Sequence, residues 1–268
     1  MSRRAIILIV ASVTALSTVA MAQYEPWNNQ GVLPAAPGSA PAVPAPRRDI
    51  SGIWDAGGGG VAGPGHAASA SPFTPLGLEM LKVMKPGNGP RLAPVAEIND
   101  PLSTLGDPAG FPRIVLYELR PFNVVHTPSS VLMLYMFEKR WRVIWTDGRP
   151  LPADPDPRWY GYSVGRWEDD NTLLVETIGM DERTWLDNAG NPHSADLKVE
   201  ERYHRVNANT MELTVTIDDP KVYTARWTPR NKLPLRLLPG NTDLMEMINN
   251  PSDILAYKKA ISSQTQAK

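Results

Sequence analysis

Residues 131–227 decide the fold, because seven short runs follow one another there: VLMLYMF (131–137), RWRVIWT (140–146), YGYSVGRW (160–167), TLLVETI (172–178), LKVEERYHRV (197–206), MELTVTI (211–217) and VYTARW (222–227). Each is rich in β-branched, aromatic and aliphatic residues, and turn-forming residues separate nearly every pair, which predicts six or seven strands in series. Asp169-Asp170-Asn171 and Asn207-Ala208-Asn209 suit hairpin connections, so neighbouring strands are expected to pair antiparallel. Strands do not alternate with helices, which argues against an α/β sheet. The fold class expected is all-β: an antiparallel meander that closes into a barrel, or alternatively a β-sandwich, with short flanking helices.

Period-two alternation assigns faces. Trp141, Val143 and Trp145 share one side of their strand and Arg140, Arg142 and Ile144 the other, so the tryptophan side is expected to face the core. Met211, Leu213, Val215 and Ile217 alternate with Glu212, Thr214 and Thr216 in the same way. In the run 197–206, Lys198, Glu200, Arg202 and His204 form a charged face, which sends Leu197, Val199, Glu201, Tyr203 and Arg205 inward. Three polar groups on a buried face need partners. Residues i and i+4 on a strand lie about 13 Å apart, so Glu201 and Arg205 need third groups to satisfy them.

Outward from this stretch, the beginning of the chain reads as a signal peptide over residues 1–22. Ser2-Arg3-Arg4 is basic, Ala5 to Val19 is apolar and Ala20-Met21-Ala22 fits the cleavage pattern, which implies a periplasmic or secreted protein starting at Gln23. No later segment has the length and apolarity of a membrane-spanning helix, so no integral span is expected after processing. Residues 23–48 form a Pro/Ala-rich tether, 49–240 the barrel domain and 241–268 a helical tail, with Thr242 to Ile261 helical and broken at Pro251. Gly57 to Ala70 is a glycine-rich loop, Thr74 to Lys85 a short amphipathic helix, and Asn99 to Arg113 a structured loop. A net charge of −1 with interspersed signs gives no electrostatic case for nucleic acid. Cysteine is absent, so disulfides and thiol chemistry are excluded.

Gly52-Ile53-Trp54, following the tether, is similar to the Gly-x-Trp signature of the lipocalin (calycin) family, in which the Trp plugs one end of an antiparallel barrel. That resemblance implies a lipocalin-like barrel and a structural Trp54 packed near Arg226 or Trp227. From Asp100 onward the chain also resembles a group of uncharacterised exported bacterial proteins, through DPLST (100–104), DPAGFPR (107–113), WTDGRPLP (145–152), WYGYSVGRW (159–167), DERTWLDNAGNPHS (181–194) and TIDDPKVYT (216–224). The similarity extends over roughly residues 50–255 and implies no activity. In that group one Cys falls in the DPLST…DP segment and another near the NPS segment. Here those places read Leu105-Gly106 and Asn249-Asn250, so a bridge implied by the resemblance is missing.

Chemistry-bearing patterns are sparse. His66, His126, His193 and His204 show no metal-binding spacing, and no cofactor motif is found. Gly161-Tyr162-Ser163-Val164-Gly165 resembles a nucleophile elbow, but it lies in a hairpin strand where small residues let a wall bend. The inward Glu201, Tyr203 and Arg205 are candidates for acid–base work, with His126 as partner of Glu201 or Tyr203, ahead of His193 with Asp187. Asp147-Gly148-Arg149 reads as a turn with an Asp–Arg cap, or else an anion clamp at Arg149. Trp141, Trp145, Trp159, Trp167 and Trp185 are expected to contact a ligand. The expected function is an exported barrel enclosing a mostly apolar or aromatic small molecule. The alternative is a cofactor-independent lyase, isomerase or hydrolase acting on such a molecule.

Overall fold

The computed structural model describes residues 43–57, 72–117, 119–248 and 250–266. The expected signal peptide, most of the expected tether, most of the glycine-rich segment and His66 lie outside the described residues. Nine strands form a closed barrel in chain order: β1 (Gly52–Asp55), β2 (Phe122–His126), β3 (Ser130–Tyr135), β4 (Trp141–Trp145), β5 (Tyr162–Trp167), β6 (Thr172–Ile178), β7 (Lys198–Asn207), β8 (Thr210–Asp218) and β9 (Trp227–Leu237). The all-β barrel is therefore the architecture. Both hairpins fall where the sequence puts them, between β5 and β6 and between β7 and β8.

Two expectations about the strands are corrected. β4 and β5 pair in parallel, not antiparallel, and only through Ile144 with Ser163 and Trp145 with Val164. The long connection 146–161 carries the chain back to the start of the wall, as any parallel pair requires. The run 222–227, expected as a strand, is instead a turn with one isolated bridge at Tyr223 as far as Arg226; the last strand begins at Trp227 and runs on through Pro229 and Pro234 to Leu237. β1 pairs with β9 only at Leu237 and Arg236. The rest of that flank carries no ladder needing a proline N–H, which is the circumstance in which strands tolerate proline.

Met211, Leu213, Val215 and Ile217 of β8 all point inward and are fully buried, as their alternation predicts. Val199, Glu201, Tyr203 and Arg205 of β7 do the same. β4 is inverted relative to expectation. Arg142 and Ile144 are buried, whereas Trp141 is 64% exposed and Val143 and Trp145 lie half-buried on the outer face.

Trp54 is completely buried and donates its indole N–H to the Ile50 carbonyl at 2.9 Å. The cation over its ring is Arg205, at 5.1 Å, rather than Arg226. Gly52 precedes it at φ +124°, and a Cβ there would meet Leu237 Cδ1 at 2.4 Å, so the narrow β1–β9 seam requires glycine. At Gly165 a Cβ would approach Ile144 Cγ2 at 2.9 Å, which accounts for a small residue beside the parallel seam.

Helices flank the barrel. α1 (Pro75–Val83) is capped by Thr74, whose hydroxyl accepts from Gly77 N–H. α2 (Pro101–Thr104) and α3 (Arg113–Leu116) sit within what the sequence reads as loop. Phe111, Ile114, Val115, Leu116 and Leu119 pack in one cluster with the inward strand residues, so this segment plugs the barrel. Asp100 caps α2 and grips Arg113 through two hydrogen bonds of 2.8 and 2.7 Å, both partners being buried. The tail helix α4 begins at Pro251 rather than Thr242, and runs to Gln266. A Cβ on Gly106 would lie 3.4 Å from Pro251 Cγ, and Lys258 donates to the Thr104 carbonyl. The segment around Gly106 thus packs against the start of α4.

Removing one partner of a buried ion pair leaves the other charged and unpaired. Asp100→Ala, which also loses the α2 cap, is expected to cost about 3–5 kcal/mol in urea unfolding. A loss under about 1 kcal/mol would contradict the anchoring role given to this pair.

Candidate functional site: an aromatic groove over the parallel seam

Inside the barrel the polar residues satisfy one another. Arg142 donates to both Glu201 oxygens at 3.1 and 2.6 Å, to Thr177 Oγ1 at 2.7 Å and to Ser163 Oγ at 2.9 Å. Tyr203 Oη donates to Glu201 Oε1 at 2.7 Å, and the Phe111 ring covers the Arg142 guanidinium at 3.9 Å. Glu201 is 0% exposed and Arg142 only 3%. Burial alone would lower the Arg142 pKa, but the Glu201 charge reverses that and holds it firmly protonated. Burial, then Glu201, pushes the Tyr203 hydroxyl well above its ordinary value, and burial raises Tyr135 to about 12. Tyr135 Oη is buried beside this network and, among the described residues, meets no partner at hydrogen-bond geometry.

Both Glu201 oxygens are engaged, and the side chain has no exposed surface at which a substrate could reach it. The interior expected as a chamber is occupied by this network and by the Phe111 plug. The third partner that Glu201 needs is Arg142, missed because its strand was assigned the opposite face. Charge balance carries the signal: an inward Glu on β7 requires an inward cation, and β4 offers one at the alternation opposite its tryptophans.

The histidine pairs are not brought together. His126 accepts from Ile50 N–H at 3.3 Å, stacks on Trp167 with centroids 6.2 Å apart and lies 3.9 Å from Asp49, so its partners are not Glu201 or Tyr203. Burial lowers its pKa even against the Asp49 charge. Arg205 donates to the carbonyls of Asp49 and Ala208 at 2.9 and 2.7 Å. His193 is fully buried between Thr184 Oγ1 at 2.7 Å and the Ser194 carbonyl at 3.1 Å. Asp187 instead accepts from Ala189 N–H and from Asn191, and burial raises its pKa. Asp219 holds the same long loop by accepting from Ser194 N and Oγ at 2.6 and 2.8 Å. These contacts make the 181–194 motif a folded, inward-packed loop.

Nor do the five tryptophans converge on one chamber. Trp185 is buried in the loop with Arg113 5.8 Å from its ring, Trp167 stacks on His126, and Trp159 carries Arg183 at 4.3 Å. Trp141 and Trp145 lie instead on the outer wall, in a groove of about 710 Å³. It sits where β4 and β5 splay apart from their two-residue ladder, between Trp141–Val143 and Tyr160–Tyr162. Pro150, Leu151 and Pro152 form its rim, and Arg142 and Ser163 of the interior network contribute to its floor. Arg149 has its guanidinium carbon 3.6 Å from the Trp145 ring centroid, with its fork spent on Asp147 at 2.9 and 2.6 Å, and Arg158 lies over Tyr162 at 4.0 Å. The turn reading of Asp147-Gly148-Arg149 is thus the geometry found.

The volume falls within the range of small-molecule sites, and the lining is mainly apolar and aromatic. Among the described residues, no group of three or more His, Asp or Glu could hold a metal ion, and no helix is long and apolar enough to cross a membrane. Comparison with protein-family models, curated proteins and solved structures returns no match in any of the three. The closed nine-strand barrel is compatible with a lipocalin-like one, and the comparisons add nothing to the resemblance to an exported bacterial family.

Glu201→Gln leaves Arg142 buried with its counter-charge gone and one accepting oxygen replaced by a donor, and is expected to destabilise by about 3–5 kcal/mol in urea unfolding. His193 supplies a pH test. Its folded pKa lies below the ordinary 6.5, so its contribution to stability is complete above that value and is lost as pH falls below it. His126 acts in the same direction. Between pH 7.5 and 5.5 the wild type is expected to lose stability more steeply than His193→Gln. Equal slopes would contradict a neutral, buried His193.

Proposed function

We propose that the chain is an exported small-molecule-binding barrel whose ligand, mostly apolar or aromatic, lies in the outer groove over the β4–β5 seam. The observation that carries this reading is Trp141, which stands 64% exposed at the mouth of a groove of about 710 Å³ with Trp145 and Tyr162 beside it. An indole left in water forfeits the burial that an inward aromatic gains, and a planar guest would restore it by stacking. The interior network suits the supporting role. It fixes Arg142 and Ser163 from behind, so that the wall under the groove is rigid before a ligand arrives. Export is supported by the basic, apolar and small-residue pattern of residues 1–22.

With the neutral aromatic probe 2-naphthamide, the wild type is expected to show saturable quenching of tryptophan fluorescence. Trp141→Ala is expected to weaken binding at least about tenfold, which is about 1.4 kcal/mol. Its unfolding free energy should stay within about 0.5 kcal/mol of wild type, since the side chain is mostly in water. Wild-type affinity in Trp141→Ala, or no saturable binding at all, would overturn the assignment. Intact-mass analysis of protein from the cell envelope should give a chain beginning at Gln23; a mature chain retaining Met1 would contradict export by cleavage.

A further inference from the structure

We propose that the groove selects planar aromatic molecules bearing one anionic group, with Arg158 supplying the counter-charge. This rests on the groove being the binding site, and it adds the chemical class of the ligand.

The charge inventory of the lining leads to it. Three arginines, Arg142, Arg149 and Arg158, line the groove, and no Asp or Glu does. Arg142 is neutralised from inside by Glu201, and Arg149 by Asp147. Arg158 is exposed and meets no carboxylate within ion-pair distance among the described residues; its recorded side-chain contact is the Tyr162 ring at 4.0 Å. The groove therefore presents one uncompensated positive charge on an otherwise apolar, aromatic surface.

Geometry makes that charge more selective than a lysine would be. The guanidinium carbon lies 4.0 Å from the Tyr162 ring centroid, and its N–H edges meet no carboxylate among the described residues. A carboxylate, sulfonate or phosphate meets those edges side-on in a two-point contact, while the rest of the molecule lies on the indoles. Backbone supports the position. Arg158 N–H donates to the Gly179 carbonyl at 3.0 Å, and the Arg158 carbonyl accepts from Gly161 and Asp181 N–H, so the residue is tied to both neighbouring segments. The side chain is thus mounted on ordered chain although its head is in water.

The test compares 2-naphthoate with 2-naphthamide, which share a ring system and differ in charge, by tryptophan fluorescence and calorimetry at low and moderate salt. The wild type is expected to prefer the naphthoate by about tenfold at low salt, with the preference shrinking as salt rises. Arg158→Gln is expected to abolish the preference, bringing naphthoate affinity down to that for naphthamide, Arg158→Lys to retain part of it, and Arg158→Glu to reverse it. Equal binding of both probes by the wild type, or a preference that survives in Arg158→Gln, overturns the anionic assignment and leaves the groove as an aromatic site. Failure of both probes to bind removes the groove itself, and the inference with it.

Discussion

The buried pair of Arg142 and Glu201 is the constraint on which the rest of the wall depends. A carboxylate with no exposed surface must be matched by a cation at hydrogen-bonding distance, or its desolvation is uncompensated. Arg142 meets that demand with all three of its nitrogens engaged across β5, β6 and β7, so four strands are cross-linked through a single guanidinium. Such a network is not worth more than a well-packed apolar core of the same volume. It does fix which residues of β4 point inward, because every alternative register leaves a charge unpaired.

From that choice the outer surface follows. Side chains on a strand alternate, so pinning Arg142 and Ile144 inside places Trp141, Val143 and Trp145 outside. The parallel pairing of β4 with β5 then leaves the wall splayed beside those tryptophans, since its ladder is only two residues long. The connection 146–161 returns across the opening and supplies the proline rim, Arg149 and Arg158. Buried electrostatics, strand alternation and one parallel junction together produce an external aromatic groove. The groove lies outside the barrel, while Phe111 and its neighbours pack into the core cluster within it.

Much of the fold was legible. The strands from β3 to β8, the two tight hairpins, the inward faces of β7 and β8 and the Thr74-capped helix all follow from local patterns whose signal lies within ten residues. What was not legible depended on pairs far apart in the chain. Trp141 and Trp145 look like core residues until Glu201, some sixty positions later, claims the other face of their strand. Pro229 and Pro234 look like breakers until the flank of β9 is seen to lack a ladder partner along most of its length. The candidate residues suffered for the same reason: five tryptophans share a type, whereas position gathers only Trp141 and Trp145 into the groove, beside Tyr162 and Arg158, the last of which no motif distinguishes.

The central claim is that Arg142 stays locked to Glu201 behind the wall while a ligand is bound in front of it. The Arg142 side-chain Nε–H resonance, assigned by its disappearance in Arg142→Lys, reports this directly in a nitrogen-15 labelled sample at neutral pH. The account expects a resolved, slowly exchanging signal that persists at saturating 2-naphthoate with only a small shift. A signal that exchanges rapidly with water in the free protein, or that is lost as the probe binds, would show an open interior and contradict it.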